Sequence, residues 1–569
     1  MPRALKPGIA ALVGLFALAA SCSKLPGAGQ QFDVLILNGT VYDGSGGAPF
    51  EGDIGIRGDK IAAIGELEGA SATTVIEAKG KAVAPGFINM LSWAVETLIV
   101  NGEGLSDLKQ GVTLEVFGEG WSWGPWSEAM KAEAVKQQAD IKYEIAWTTL
   151  GEYLDYMARR GVAMNVASFV GAATVRIHEL GYENRAASPD ELKRMQDLVR
   201  AALREGALGV GSSLIYAPGN FAPTDELVAL AKAAGESGGM YISHMRSESS
   251  GIFDALDELL RIAREAGVRA EIYHLKTFGE PNWGKMDEVL SRIEAARAEG
   301  LAITTDMYTY PAAATGLDAA IPLWTQEGGL DAWIERLKDP KVRAKAVREM
   351  KDASRPDNTW TDVGPERTLL IGFNNPELKP LTGRRLSEVA AERGQDPAET
   401  AIDLVIADHS RVGVIYFGMS EDNVRKIIQQ PYVAFGSDEG AYSDDDVFLL
   451  SSAHPRAYGT FARVLGKYGR DEGLLPLPEA VRRLTSFPAG NLKIRDRGLL
   501  KQGYYADVVV FDRAGIADSA TFETPRQYAS GVEQVFVNGV QALKDGAPTG
   551  EKAGRVVRGP GWSGWDGGN

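Results

Sequence analysis

Histidine is scarce in this chain, with five in 569 residues, at positions 178, 244, 274, 409 and 454. Two of them recur in a pattern that can do chemistry. His244 ends the apolar stretch "MYISH" and His274 ends "RAEIYH", and 274 minus 244 gives 30 residues, about the length of one strand–helix repeat. In a parallel barrel that spacing brings both imidazoles to the C-terminal rim on neighbouring strands, which makes half of a zinc site. The pair alone leaves open that each is simply a hydrogen-bonded histidine at a strand end. Asp438 adds to it, because in "AFGSDEG" an apolar strand delivers a carboxylate into a Gly-bounded loop. A general base placed there, beside a metal, would take a proton from water and pass it to a departing amine. An Asx-turn after a strand would also put aspartate at this place.

Such residues need a scaffold, and the middle of the chain supplies strand-then-helix units. "VAMNVASFVG" is followed by "SPDELKRMQDLVRAALREG", where Ser188 is an N-cap, Pro189 fits the first turn and Glu191 completes a capping box. The alternation continues through "MYISHMR", "FDALDELLRIAREAG", "RAEIYHLK", "NWGKMDEVLSRIEAARAEG" and "LAITTDMYTY", and returns at "YVAFGSDEG". This predicts an α/β fold, a (β/α)8 TIM-like barrel with insertions over residues 86–497. An open doubly wound sheet is the alternative, but no strand runs into a G-x-G-x-x-G turn or a P-loop. Residues 32–85 and 498–558 instead show short apolar runs punctuated by turn dipeptides, including Asn538-Gly539. They predict one small β-sandwich built from both chain ends.

The charged residues, 60 basic and 76 acidic for a net −16, contain no basic run, which argues against a nucleic-acid partner. Arg3 and Lys6 precede an apolar run from Ile9 to Ala20, as in a secretory signal over residues 1–22, with a linker at 23–31. "LAASC" ends at Cys22, the only cysteine, and resembles a bacterial lipoprotein acylation site with Ala19 in place of the usual leucine. The expectation is export to the periplasm and membrane attachment through lipidated Cys22.

Taken together, "SHMRSE", "YHLKTFGEPNWGKM", "DMYTYPAAAT", "GSDEG" and "HPRAYGTF" resemble the N-acyl-D-amino-acid deacylase branch of the metal-dependent amidohydrolase superfamily, over Phe32 to beyond Val540. The resemblance implies that His244 and His274 hold a zinc ion and that Asp438 is the catalytic acid/base. It also implies that Lys276, Tyr308 and Arg456 hold the α-carboxylate of an N-acyl amino acid, chemistry suited to a cation, a hydroxyl and a guanidinium.

Three departures qualify it. The paired histidines expected after strand one align with Leu91 and Trp93, so one zinc per chain is expected. In "GVTLEVFGEGWSWGPW" the expected cysteine ligand aligns with Gly120, and its neighbour Glu119 is the expected substitute, with Glu115 as second choice. A Gly-His-Gly turn becomes "GAATVR", with Ala172 in place of histidine. His178, His409 and His454 are expected to be structural, with His454 near enough to Arg456 to shape its pocket. Trp121, Trp123 and Trp126 form either a wall for an apolar acyl group or part of the core. The sequence thus predicts a zinc-dependent hydrolase of N-acyl-D-amino acids. The alternatives are a lipid-anchored binding protein without catalysis and an amidohydrolase acting on a cyclic amide.

Overall fold

The computed structural model describes residues 29–565. The expected signal segment, Cys22 and most of the linker lie outside the described residues.

Eight parallel segments close into a barrel. Phe87–Asn89 pairs with Val112–Phe117, which pairs with Asn165–Ser168. The same extended run continues into Val170–Gly171, and the ring goes on through Gly209–Ser213, Met240–His244, Ala270–Ile272 and Ile303–Thr305. Residues 432–438 are the eighth member, hydrogen-bonded to Thr305 and Met307 on one side and to Met90 and Leu91 on the other. Amphipathic helices cover the outside. Pro189–Arg204 starts as its sequence dictates: Ser188 accepts from the Glu191 amide while the Glu191 carboxylate accepts from the Ser188 amide. This reciprocal cap is worth about 1 kcal/mol.

The β-sandwich draws on both chain ends. Its seam is antiparallel, Val508–Phe511 against Ala82–Pro85. Val532–Val537 and Val540–Lys544 form the hairpin predicted at Asn538-Gly539, where φ values of 50° and 80° are those a two-residue turn needs. Beyond Pro548 the chain leaves this sheet. Val166 N–H donates to Arg555 O and Val557 N–H to Val166 O, so the last segment lies against the barrel. Gly554 permits the approach, since a Cβ there would stand 2.0 Å from Met164 O.

One insertion bears on the site. Between Ile303–Thr305 and residues 432–438 the chain builds an antiparallel sheet of Ala313–Gly316, Gly413–Tyr416 and Thr368–Gly372, with helices packed around Trp333 and Leu404. The insertion meets the barrel's rim through polar contacts. Asp357 accepts from the hydroxyls of Ser247 (2.6 Å) and Ser249 (2.8 Å) and from the Gly251 amide (2.9 Å), fixing the loop after Met240–His244.

Candidate metal centre

At the C-terminal rim, three of the predicted residues converge. His244 closes its strand, His274 follows Ala270–Ile272, and Glu119 follows Val112–Phe117. Glu119 Oε1 lies 3.0 Å from His244 Nδ1 and 2.9 Å from His274 Nε2, and all three ligand atoms fall within 4.8 Å of one another. Two donors bound tetrahedrally at about 2.0–2.1 Å would sit about 3.3 Å apart, so a zinc ion needs the group to open by only a few tenths of an ångström. The donor types, two imidazoles and a carboxylate, are those of catalytic zinc sites. The atoms that converge are His244 Nδ1, His274 Nε2 and Glu119 Oε1, each buried. The chain's donors therefore fit the metal.

The local backbone explains why Glu119 can serve. It is flanked by Gly118 and Gly120, with φ of 108° and 71°. A Cβ on Gly120 would lie 2.6 Å from Ser213 Cβ and 2.7 Å from Ser213 N, so this position has no room for a cysteine. His274 and Asp438 also have positive φ, 36° and 53°, a strain typical of functional positions. The His274 amide is tied to Asp306 Oδ1 at 2.7 Å, and the Asp438 amide to Leu91 O at 2.8 Å.

Charge in this buried cluster is strongly correlated. Burial and Lys276 push the His274 imidazole down, but Glu248 and Glu119 outweigh them and raise it to about 10. Burial works against the Glu119 carboxylate, yet the two imidazoles hold it well below its ordinary range. Glu248, which the sequence reading missed, sits beneath both rings. Its Oε1 is 3.1 Å from His274 Nδ1 and accepts from Lys276 Nζ at 2.6 Å. Lying four residues after His244 inside "SHMRSE", it carried a legible signal.

Lys276, Tyr308 and Arg456 all line the same cavity as Glu119 and Asp438, which measures about 1200 Å³. Lys276 Nζ and the Arg456 guanidinium both approach the Tyr308 ring, at 5.6 and 4.5 Å from its centroid, with their polar groups engaged elsewhere. Lys276 Nζ is bound to Glu248 and contacts His274 Nδ1 at 2.7 Å, and Tyr308 O–H reaches Met419 Sδ. Arg456 Nη1 lies 2.7 Å from Asp438 Oδ2, and its plane covers the Tyr308 ring at 4.5 Å. That ion pair is short but poorly aligned, so Nε and Nη1 of Arg456 keep unused hydrogen-bonding capacity. Burial raises the Asp438 carboxyl above its ordinary value, Arg456 opposing it. His454 shapes the guanidinium's position as expected: its Nδ1 accepts from the Arg456 amide at 3.0 Å and its Nε2 faces Ala312 O at 3.1 Å. This pairing fixes a neutral tautomer, in keeping with a pKa that burial and Arg456 lower.

His178 pairs with Glu179 and His409, which lines the cavity, with Asp331; neither histidine is among the converging donors. Ala172 opens the helix Ala172–Leu180 and offers no polar side chain. All three tryptophans border the cavity: Trp126 is buried, with Nε1 donating to Ser122 O, and half-buried Trp121 and Trp123 pack against its apolar cluster.

Glu115 belongs to a different cluster. It is buried with Asp107 around Asn89, whose Nδ2 donates to Glu115 Oε2 (2.9 Å) and Ser437 Oγ (2.8 Å). Burial raises Glu115 from its ordinary 4.5 to about 7, the hydrogen bonds opposing. A carboxyl raised on folding keeps a proton that the unfolded chain gives up, so stability falls as pH climbs from about 4.5 to about 7 and then levels. Glu115→Gln keeps the shape without the ionisation. Its melting temperature should match wild type near pH 4.5 and exceed it by about 2–4 °C at pH 8. A difference that does not change with pH would show that Glu115 is ionised at no cost.

The comparisons agree with this geometry. A sequence profile described as the amidohydrolase family matches residues 74–542. The chain belongs to the amidohydrolase family. Among its fellow amidohydrolases, the D-aminoacylase of Alcaligenes xylosoxydans xylosoxydans is 36% identical over 529 residues, 93% of this chain and 98% of that one. A solved D-aminoacylase structure, from work on the functional role of its binuclear metal centre, is 34% identical. It covers 93% of this chain and 100% of its own at a TM-score of 0.77. The N-acyl-D-glutamate deacylase of Bordetella bronchiseptica, solved with zinc and a phosphonate mimic of the tetrahedral intermediate, is 31% identical, with 93% and 100% coverage and a TM-score of 0.75.

Proposed function

We propose that this amidohydrolase uses one zinc ion, held by Glu119, His244 and His274, to hydrolyse the amide bond of N-acyl-D-amino acids. The observation that carries the reading is the convergence of these three donors at the rim of an amidohydrolase barrel, with Asp438 facing the same cavity. The ion, when bound, supplies Lewis acidity for the amide carbonyl and for water. The protein does the rest. Asp438 takes a proton from the attacking water and delivers it to the amide nitrogen as the C–N bond breaks, leaving a carboxylate and a free amino acid. Its raised pKa suits a group that must both accept and give a proton. Arg456, Lys276 and Tyr308 turn toward the substrate's α-carboxylate, and the unused donors of Arg456 are the means. Half-buried Trp121 and Trp123 offer an apolar wall to the acyl group. The signal-like run from Ile9 to Ala20 and the acylation-site-like "LAASC" support export of this activity and its attachment to the periplasmic face of a membrane through Cys22.

Zinc-loaded protein assayed against paired N-acyl-D- and N-acyl-L-amino acids should hydrolyse D-isomers at least about 100-fold faster, a discrimination of about 2.7 kcal/mol. Removal of zinc by a chelator should abolish the activity, and zinc should restore it. Failure to hydrolyse any member of the panel overturns the assignment.

A further inference from the structure

The indole of Trp93 stands between the metal donor Glu119 and the base Asp438. Its Nε1 lies 3.0 Å from Glu119 Oε2 and 3.2 Å from Asp438 Oδ1. An indole has one N–H and no acceptor, so this single donor is shared by two carboxylates that would otherwise face each other without a positive pole between them.

Each carboxylate is thereby fixed at both oxygens. Glu119 offers Oε1 to the two imidazoles and Oε2 to Trp93. Asp438 offers Oδ2 to Arg456 and Oδ1 to Trp93. The indole is itself firmly placed, because the Trp93 amide donates to Glu439 O (2.9 Å), next to Asp438 in the chain, and Ser92 bridges Glu439 in parallel. Leu91, two residues earlier, is buried among apolar side chains, so neither position offers a metal donor.

We infer that Trp93 is a positioning residue: its N–H, shared between the two carboxylates, couples the base Asp438 to the metal ligand Glu119. Since a hydrogen bond to a ligand's free oxygen tunes both metal affinity and ligand orientation, its loss should be felt by zinc as well as by catalysis. The inference rests on the proposed hydrolase, but half of its test does not.

Trp93→Phe keeps the aromatic body and deletes the N–H. The melting temperature of the metal-free variant establishes that it folds as wild type does. Chelator competition should then show a zinc Kd raised about 10-fold or more, and the zinc-loaded variant a kcat lowered by a similar factor with KM within about twofold. A zinc Kd within about twofold of wild type overturns the inference, and so does a rate loss carried wholly by KM. If wild type hydrolyses no substrate, the function fails separately, and the zinc Kd alone decides the role of Trp93.

Discussion

Glu119→Gln is expected to lower zinc affinity by more than about 100-fold and to remove the hydrolytic activity with the metal. The amide oxygen of glutamine carries no charge to offset the cation, and its NH2 group would point at imidazole or indole donors. Zinc content after dialysis against a weak chelator checks the result. Gly120→Cys added to this variant should not rescue it, because its Cβ would collide with Ser213. Stoichiometric zinc retained by Glu119→Gln with a Kd within about threefold of wild type would remove Glu119 from the ligand set. Glu115→Gln is the matched control, since Glu115 lies in the Asn89 cluster and should leave zinc binding unchanged.

Asp438→Asn should separate metal binding from catalysis. Zinc stays bound, since Asp438 is not among the converging donors, while kcat falls by about 1,000-fold, within the range for loss of a general acid–base. Asparagine fills the same volume and its one acceptor oxygen can keep the Trp93 contact, while its NH2 group, turned to the Arg456 side, accepts nothing, and it has no acid–base function. KM should hold or fall, because Arg456 is freed from its 2.7 Å ion pair and can turn wholly to a substrate carboxylate. A kcat within about tenfold of wild type would assign the proton transfers to another group.

Much of this was legible in the residues themselves. The strand–helix alternation, the capping box at Ser188 and the Asn538-Gly539 turn are local signals, and the structure forms each where the local chemistry asks for it. The histidine pair was readable because one repeat of a parallel barrel fixes both its spacing and its rim. What stayed hidden depends on contacts between distant loops. Trp93 reads as an apolar residue in a sequence window, and its N–H acquires a partner only when strand one closes against residues 432–438, 345 positions away. The antiparallel insertion over Ala313–Tyr416 was foreseen only as an unspecified addition, since its strands are short and separated by helices. Gly120 likewise gives no sign in the sequence that its φ and its contact with Ser213 exclude a side chain. Glu248 is the exception, a residue overlooked although its motif was in view.

The choice of a carboxylate at position 119 has a chemical consequence beyond geometry. The sole cysteine of the chain is at position 22, so the proposed donor set contains no thiolate for peroxide to oxidise to a sulfenic acid or for a thiol-directed reagent to cap. A centre built this way keeps its ligands in an oxidising environment, outside the reach of cellular reductants.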